Sequence, residues 1–284
     1  MKLIIGGSGY IGRNLMEYFL GKNEEVIATC HNSRKEGMIP FDMEDPNLDI
    51  LGDCLKKIDC AFICSAVTAI DECKRDKERA YKINVSGTKK VAEQLFSLKI
   101  VPVFLSSDFV FDGRKGDYSE KDETSPCTVY GNHKKAIEDW LKDSKEEFFI
   151  ARLSKIFGIK QGDKTILTSW VEQLRRGEVI RCANDQFFSP TYIGDLARAF
   201  DISLEKGLRG LYNVASPEVF SRYELALKLK SQLGITSGRI VPCSINDFNF
   251  YDNRSLNTSM NTEKFTRETG FEFNRMEDCI RRLC

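Results

Sequence analysis

Tyr130-Gly131-Asn132-His133-Lys134 sets a phenol four residues ahead of an ammonium, and the stretch that follows, Ala136 to Leu141, has a helical pattern. Four residues is about one helical turn, so Tyr130 and Lys134 project from one face. That spacing has a chemical use. A phenol with an ordinary pKa of about 10 is a poor acid at neutral pH, and an adjacent ammonium is expected to lower that value by stabilising the phenolate. Tyr130 would then protonate a carbonyl oxygen as hydride arrives, or deprotonate an alcohol in reverse. Upstream, the apolar run Val103-Phe104-Leu105 ends in Ser106-Ser107-Asp108. A serine pair there is a strand terminator as readily as a catalytic group. Beside Tyr130, the Ser107 hydroxyl would hydrogen-bond a substrate oxygen and hold it against the phenol.

A second constellation opens the chain. Gly6-Gly7-Ser8-Gly9-Tyr10-Ile11-Gly12 follows the apolar run Lys2–Ile5 directly. Glycines there permit a tight turn and let backbone N–H groups approach a pyrophosphate at a helix N-terminus, whose dipole favours the anion. The spacing Gly6, Gly9, Gly12 is GxxGxxG, one residue wider than the GxGxxG of many dehydrogenases, and its place after a strand and before a helix points to a dinucleotide. Where an NAD-binding unit usually carries an acidic residue for the ribose, this chain has Thr29-Cys30-His31-Asn32-Ser33-Arg34-Lys35. With no carboxylate to repel a 2′-phosphate, and Arg34 and Lys35 able to pair with one, NADP is expected over NAD. A solvated basic loop is the plain alternative.

These groups need a scaffold. Strands are expected at Lys2–Gly6, Glu25–Thr29, Asp59–Cys64, Val101–Ser106 and Phe148–Leu153, with helical stripes between them: Ile11, Leu15 and Phe19, then Val91, Leu95 and Leu98. That alternation predicts an α/β fold, a Rossmann-type doubly wound parallel sheet with ligands at the carboxyl ends of its strands. Past about residue 154 the rhythm loosens, which predicts a smaller α+β C-terminal substrate lobe. The expected division is 1–153 for the dinucleotide-binding domain, completed by parts of 179–214, with 154–178 and 215–284 forming the substrate lobe. Helices are expected at Arg222–Lys230 and Asn274–Leu283, each opened by a capping-box pattern, Ser221 with Glu224 and Asn274 with Glu277.

The chain resembles the extended branch of the short-chain dehydrogenase/reductase superfamily through the glycine turn and Tyr130/Lys134. Within that branch it resembles the dTDP-4-dehydrorhamnose reductases and related sugar-nucleotide reductases. Ser106-Ser107-Asp108-Phe109-Val110-Phe111-Asp112-Gly113 is similar to their STDYVFDG, and Tyr118-Ser119-Glu120 through Ser125-Pro126 to the loop that follows. Asp185-Gln186-Phe187-Phe188-Ser189-Pro190-Thr191 with Asp195-Leu196-Ala197 resembles DQxGxPT and DLA, and Arg254-Ser255-Leu256-Asn257 echoes RPxNSxL.

The resemblance implies reduction of the keto group of a nucleotide-linked 4-keto-6-deoxy sugar, with Ser107, where the family usually has Thr, Tyr130 and Lys134 as the catalytic trio. For the cofactor it implies Gly6, Ser8, Gly9, Tyr10, Ile11 and Gly12 at the turn, His31 and Arg34 after the second strand, Asp42 and Met43 by the adenine, and Ser65 and Ala66 after the third strand. Tyr130 and Lys134 join that set. For the sugar it implies Thr68, Asp108, Phe109 and Lys155. Lys155 stands where the family has an aromatic residue; it would contact a phosphate or an acidic sugar substituent, or be a solvated surface lysine. Asn84 matches a superfamily position near the active site, and a helix cap is the equal alternative. An epimerase or dehydratase with tightly bound NAD shares the trio, and a non-catalytic NADP-binding regulatory subunit shares the fold.

Bulk properties narrow the field. The 284 residues carry 42 basic and 42 acidic side chains, so no net field draws the chain to nucleic acid or to an anionic membrane. No apolar run approaches the roughly 20 residues of a membrane helix, and Met1 to Ile5 is too short for the apolar region of a signal peptide, so a cytoplasmic location is expected. The 10 cysteines form no CxxC pair and read as reduced packing residues. With 2 histidines and no ligand spacing, no metal is expected. His133, Ala136 and Trp140 mark a second stripe on the helix of Tyr130, which would pack against another subunit in a homodimer, or within the chain.

Overall fold

The structure, a computed structural model, describes residues 1–31 and 36–283. The chain divides into two compact units: one comprises Met1–Val110, Pro126–Arg152 and Gly207–Tyr212, the other Phe111–Ser125, Leu153–Lys206 and the chain from Asn213 on.

The first unit is built on a sheet of β1 (Lys2–Ile5), β2 (Val26–Cys30), β3 (Ile39–Pro40), β4 (Cys60–Ile63), β5 (Val101–Ser107) and β6 (Phe149–Leu153), with a last strand at Gly210–Asn213. The order across it is β3, β2, β1, β4, β5, β6 and then Gly210–Asn213. From β3 through β5 each neighbouring pair is parallel. Leu3, Ile4, Ile5, Ala61 and Phe62 are wholly buried, as expected of parallel strands covered on both faces. The strand order reverses between β1 and β4, and the ends of those strands are where this architecture binds ligands.

Helix α1 (Tyr10–Gly21) packs on the sheet through Gly12, Leu15 and Phe19. Helices α2 (Ile70–Arg75) and α3 (Lys77–Tyr81) lead through a π-helical turn at Lys82–Gly87 into α4 (Thr88–Ser97). Val91 and Leu95 are buried, whereas Leu98 falls just past α4 and is exposed. Helix α5 (Val129–Asp143) begins at Thr128, whose hydroxyl accepts from Gly131 N–H at 2.9 Å. Its Ile137 and Leu141 pack with Phe104 and Ile150.

The second stripe of α5 finds its partner inside the chain. Trp140 stacks on Phe96 of α4 with ring centroids 6.0 Å apart, and His133 is buried against Tyr81. Two helices lying side by side on one sheet face satisfy a helix with two apolar stripes, so this stripe gives no support to a second subunit.

In the second unit, helices Ile166–Arg175, Arg222–Gln232 and Met276–Arg281 share a core that includes Leu167, Trp170, Leu225, Leu229 and Ile280. Strand Val179–Ala183 pairs in parallel with Arg239–Cys243. The Ser221/Glu224 capping box forms as expected. The Asn274/Glu277 box does not: both carboxylate oxygens of Asp195 engage Asn274, through its N–H at 2.9 Å and its side-chain amide. Helix formation is thereby delayed to Met276, and Glu277 pairs with Arg281 instead. A buried carboxylate with two oxygens outcompetes the helix end for the asparagine donors.

All nine described cysteines are free thiols. Burial pushes Cys60 and Cys182 up to about 11 and Cys279 up to about 12, which marks them as packing groups. Among the described residues no helix is long and apolar enough to cross a membrane.

Candidate active site

The ends of β1, β4 and β5 are neighbours in the sheet. At the usual strand spacing they span about 10 Å, and each carries part of the site. After β1, Gly6 takes φ +89, and a Cβ there would lie 2.9 Å from Ser65 N. Gly7 N–H donates to Thr29 O at 2.7 Å and Gly6 N–H to Thr29 Oγ1 at 3.1 Å, which ties the turn to β2. A Cβ on Gly12 would lie 2.3 Å from Gly6 O, so the first turn of α1 rests directly on the glycine turn. No side chain caps α1 and no acidic residue stands in its first turn. Its dipole is thus presented by bare backbone, while Gly9 N–H turns back to Gly6 O at 3.0 Å and closes the turn. This cradle fits a dinucleotide pyrophosphate.

Beyond β2, His31 and Asp42 come together, with Nε2 3.7 Å from Oδ1, both partly exposed. Asp42 also accepts from Glu44 N–H at 2.8 Å. The Met43 side chain is buried in the apolar cluster of Leu3 and Ile5. Arg34 and Lys35 lie outside the described residues.

After β4, Ser65 and Ala66 are half-buried and Thr68 is exposed. Between them, Val67 is held at both backbone groups by Asn84: its N–H donates to Oδ1 at 2.8 Å, and its carbonyl accepts from Nδ2 at 2.9 Å. Asn84 therefore caps no helix. It tethers the segment that carries Ser65, Ala66 and Thr68, and it sits in a π-helical turn, a device common at functional sites.

Ser107, Tyr130 and Lys134 converge after β5, all buried. A Cβ on Gly131 would lie 2.1 Å from Phe109 O. Glycine beside the tyrosine is what lets the start of α5 reach the end of β5, and the Gly131 of Tyr-Gly was the signal in the sequence for that approach. The Phe109 ring meets Tyr130 edge-on at 6.2 Å. Ser107 donates to Asp108 Oδ1 at 2.9 Å and accepts from Phe109 N–H at 3.2 Å. Lys134 Nζ donates to Leu105 O at 2.7 Å, 4.7 Å from the Phe104 ring centroid and 5.6 Å from that of Tyr130.

The electrostatics depart from the expectation for Tyr130. Burial pushes its phenol well above the usual range and the Asp108 carboxylate pushes it further, with Ser107 pulling it only partly back. Lys134, brought down by burial, has lost its proton before a phenol raised this far would ionise. Lys134 itself is brought down to about 8, chiefly by burial, against the raising influence of Cys64, Cys73 and Glu138. His133, beside it, is held below its ordinary value by burial and by Lys134.

Glu138, one further turn along α5, anchors this region. It accepts from Ser106 Oγ at 2.5 Å and from Arg152 Nε and Nη2 at 3.0 and 2.7 Å, all buried. The two consecutive serines of β5 thus point to opposite faces, one into this ion pair and one to Tyr130. Lys155 is exposed on the second unit.

The sequence model of the family described as RmlD substrate binding domain matches residues 1–284. A dTDP-4-dehydrorhamnose reductase of Mycolicibacterium smegmatis is 27% identical over 245 residues, 85% of this chain and 72% of that protein. The structure of a dTDP-4-dehydrorhamnose reductase of Bacillus anthracis in complex with NADP superposes with a TM-score of 0.86, at 24% identity over 99% of this chain and 97% of the other. Methionine adenosyltransferase 2 subunit beta of Danio rerio is 23% identical over 249 residues, 84% of this chain and 76% of that protein.

Proposed function

We propose, proceeding from the premise that this chain belongs to the RmlD substrate binding domain family, that it uses NADPH, or NADH, to reduce the keto group of a nucleotide-linked 4-keto-6-deoxy sugar. The observation that carries the reading is the convergence of Ser107, Tyr130 and Lys134 on the sheet edge that also holds the glycine cradle. The reductase of Mycolicibacterium smegmatis supports the substrate class, and the Bacillus anthracis structure has NADP on the same fold.

In this reading the glycine turn and the start of α1 hold the pyrophosphate, His31, Arg34, Asp42 and Met43 lie towards the adenosine, and Ser65 and Ala66 line the cofactor. When bound, the nicotinamide supplies the hydride that reduces the keto carbon. Tyr130 gives its proton to the carbonyl oxygen, a role suited to a phenol that burial keeps protonated. Lys134, fixed by the Leu105 carbonyl, offers an ammonium to the nicotinamide ribose. Ser107 positions the substrate carbonyl against the phenol. Thr68, Asp108, Phe109 and Lys155 are assigned to the sugar nucleotide, and the substrate lobe to 154–178 and 215–284.

The likeness to the Danio rerio subunit favours a second reading, an NADP-binding regulatory subunit; the intact Ser107, Tyr130 and Lys134 weigh against it. One experiment separates them. NADPH mixed with the protein and a dTDP-4-keto-6-deoxy sugar is expected to be consumed in step with formation of the sugar alcohol. Binding of NADPH without consumption would favour the regulatory reading, and redox-neutral isomerisation of the sugar an epimerase.

A further inference from the structure

We propose that His133 is a positioning residue: as the tautomer with its proton on Nε2, its Nδ1 accepts from the Asn84 amide and fixes the clamp that Asn84 places on Val67. This role rests on the reductase reading and deepens it, since Val67 lies between Ser65 and Ala66, assigned to the cofactor, and Thr68, assigned to the sugar. Val67 N–H can only donate, at 2.8 Å, and Val67 O can only accept, at 2.9 Å. Those two backbone groups identify which end of the Asn84 amide is oxygen and which is nitrogen. Nδ2 carries two protons. One goes to Val67 O, and the other faces His133 Nδ1 at 3.4 Å. A ring nitrogen opposite an N–H donor must offer its lone pair, so the imidazole is neutral and its proton resides on Nε2.

The surroundings favour that tautomer. Asn84 and His133 are 4% and 6% exposed, so water has little access to the amide. A second acceptor near Nδ2 is the Cys73 sulfur at 3.8 Å, a weak one, and the Cys73 thiol directs its own proton to Val67 O at 3.2 Å. Turning the imidazole over would set a C–H group against the amide, and moving its proton to Nδ1 would set two donors face to face. The Tyr81 ring meets the imidazole edge-on, with centroids 5.7 Å apart. Burial and the adjacent Lys134 hold His133 below its ordinary value, which keeps it neutral near pH 7.

Val67 is thereby held at three points: its N–H by Asn84, and its carbonyl by Asn84 and Cys73 together. Removing the Nδ1 acceptor leaves a buried amide proton with only a sulfur to turn to. A buried donor without a good partner weakens the arrangement that depends on it, here the backbone that carries Ser65 and Ala66. His133 gives up no proton in the reaction. Its effect therefore falls on cofactor affinity rather than on the hydride step.

The test joins a spectrum of the parent to a mutant cycle. Nitrogen NMR of protein isotope-labelled in histidine distinguishes a protonated ring nitrogen from a bare one. The chain has 2 histidines, and the signals of His133 are those missing from His133→Phe or, should that variant fail to fold, from His133→Asn. At about pH 7.5, above the ordinary histidine range, they are expected to show a proton on Nε2 and none on Nδ1; a proton on Nδ1, alone or with one on Nε2, would overturn the inference. His133→Phe keeps a ring against Tyr81 and removes the acceptor. It is expected to bind NADPH about tenfold more weakly, with kcat for keto-sugar reduction lowered by less than about threefold. His133→Asn sets an amide oxygen near the place of Nδ1 and is expected to recover affinity to within about threefold of the parent. In an Asn84→Ala background, His133→Phe is expected to cost no further affinity, because the ring acts through the amide alone. Parental affinity in His133→Phe, no recovery in His133→Asn, or losses that multiply in the double variant would each overturn the inference. A parent that binds NADPH but reduces no keto sugar defeats the reductase reading alone; one that binds neither NADPH nor NADH defeats both.

Discussion

The glycine turn after β1 and the Ser107, Tyr130 and Lys134 cluster after β5 lie two strands apart on one edge of the same sheet, and they are built by opposite means. The turn works by leaving side chains out: Gly6 and Gly12 allow backbone to touch backbone and expose the N–H groups of α1. The cluster works by burying side chains, and its chemistry depends on where each proton resides. A site made of backbone is sensitive to a single methyl group and indifferent to pH. A site made of buried titratable groups is sensitive to charge and hydrogen bonding.

That contrast can be broken in order of expected effect. Glu138→Ala strips the buried Arg152 guanidinium of its partner beneath the cluster. An uncompensated buried charge costs about 3–5 kcal/mol, so chemical denaturation is expected to show a loss of that size; an unchanged midpoint would mean the pair is not the anchor. Gly12→Ala forces a methyl group to 2.3 Å from Gly6 O. Overpacking of this kind costs about 1–3 kcal/mol, and the variant should bind NADPH more weakly while kcat at saturation stays near that of the parent. A fall in kcat with unchanged affinity would erase the distinction between the two regions.

The third effect is graded with pH. Lys134 is brought down to about 8, so its ammonium is present below that pH and is lost above it. Turnover should therefore decline from about pH 8 upward, whereas NADPH contacts made by the glycine turn should not change there. Stability runs the other way. The unfolded chain holds this proton up to about pH 10.4, so between those values it binds more protons than the folded one, and the cost of burying the ammonium is relieved as pH rises. A rate profile flat through pH 9.5 would place Lys134 outside the chemistry.

The sequence was informative where local pattern decides. Continuous apolar runs located β1, β2, β4, β5 and β6 to within a residue or two, because buried parallel strands leave few alternatives. The glycine spacing identified the cradle, since backbone contacts require those residues. What the sequence could not show was long-range competition. The Leu105 carbonyl takes the Lys134 ammonium, Asp195 takes Asn274 from its helix, and Phe96 takes the Trp140 face. The partners lie 29, 79 and 44 positions away, the last counted from 96 to 140. Likewise, Asn84 left both its roles open until Val67 was seen on both of its polar atoms.

The most direct measurement is single-turnover NADPH oxidation by the parent and Tyr130→Phe, with a dTDP-4-keto-6-deoxy sugar and with NADPH affinity determined on both. The account predicts a loss of about 10²–10⁴-fold in the chemical step with affinity for NADPH preserved. A Tyr130→Phe enzyme that reduces the sugar at the parental rate would contradict it.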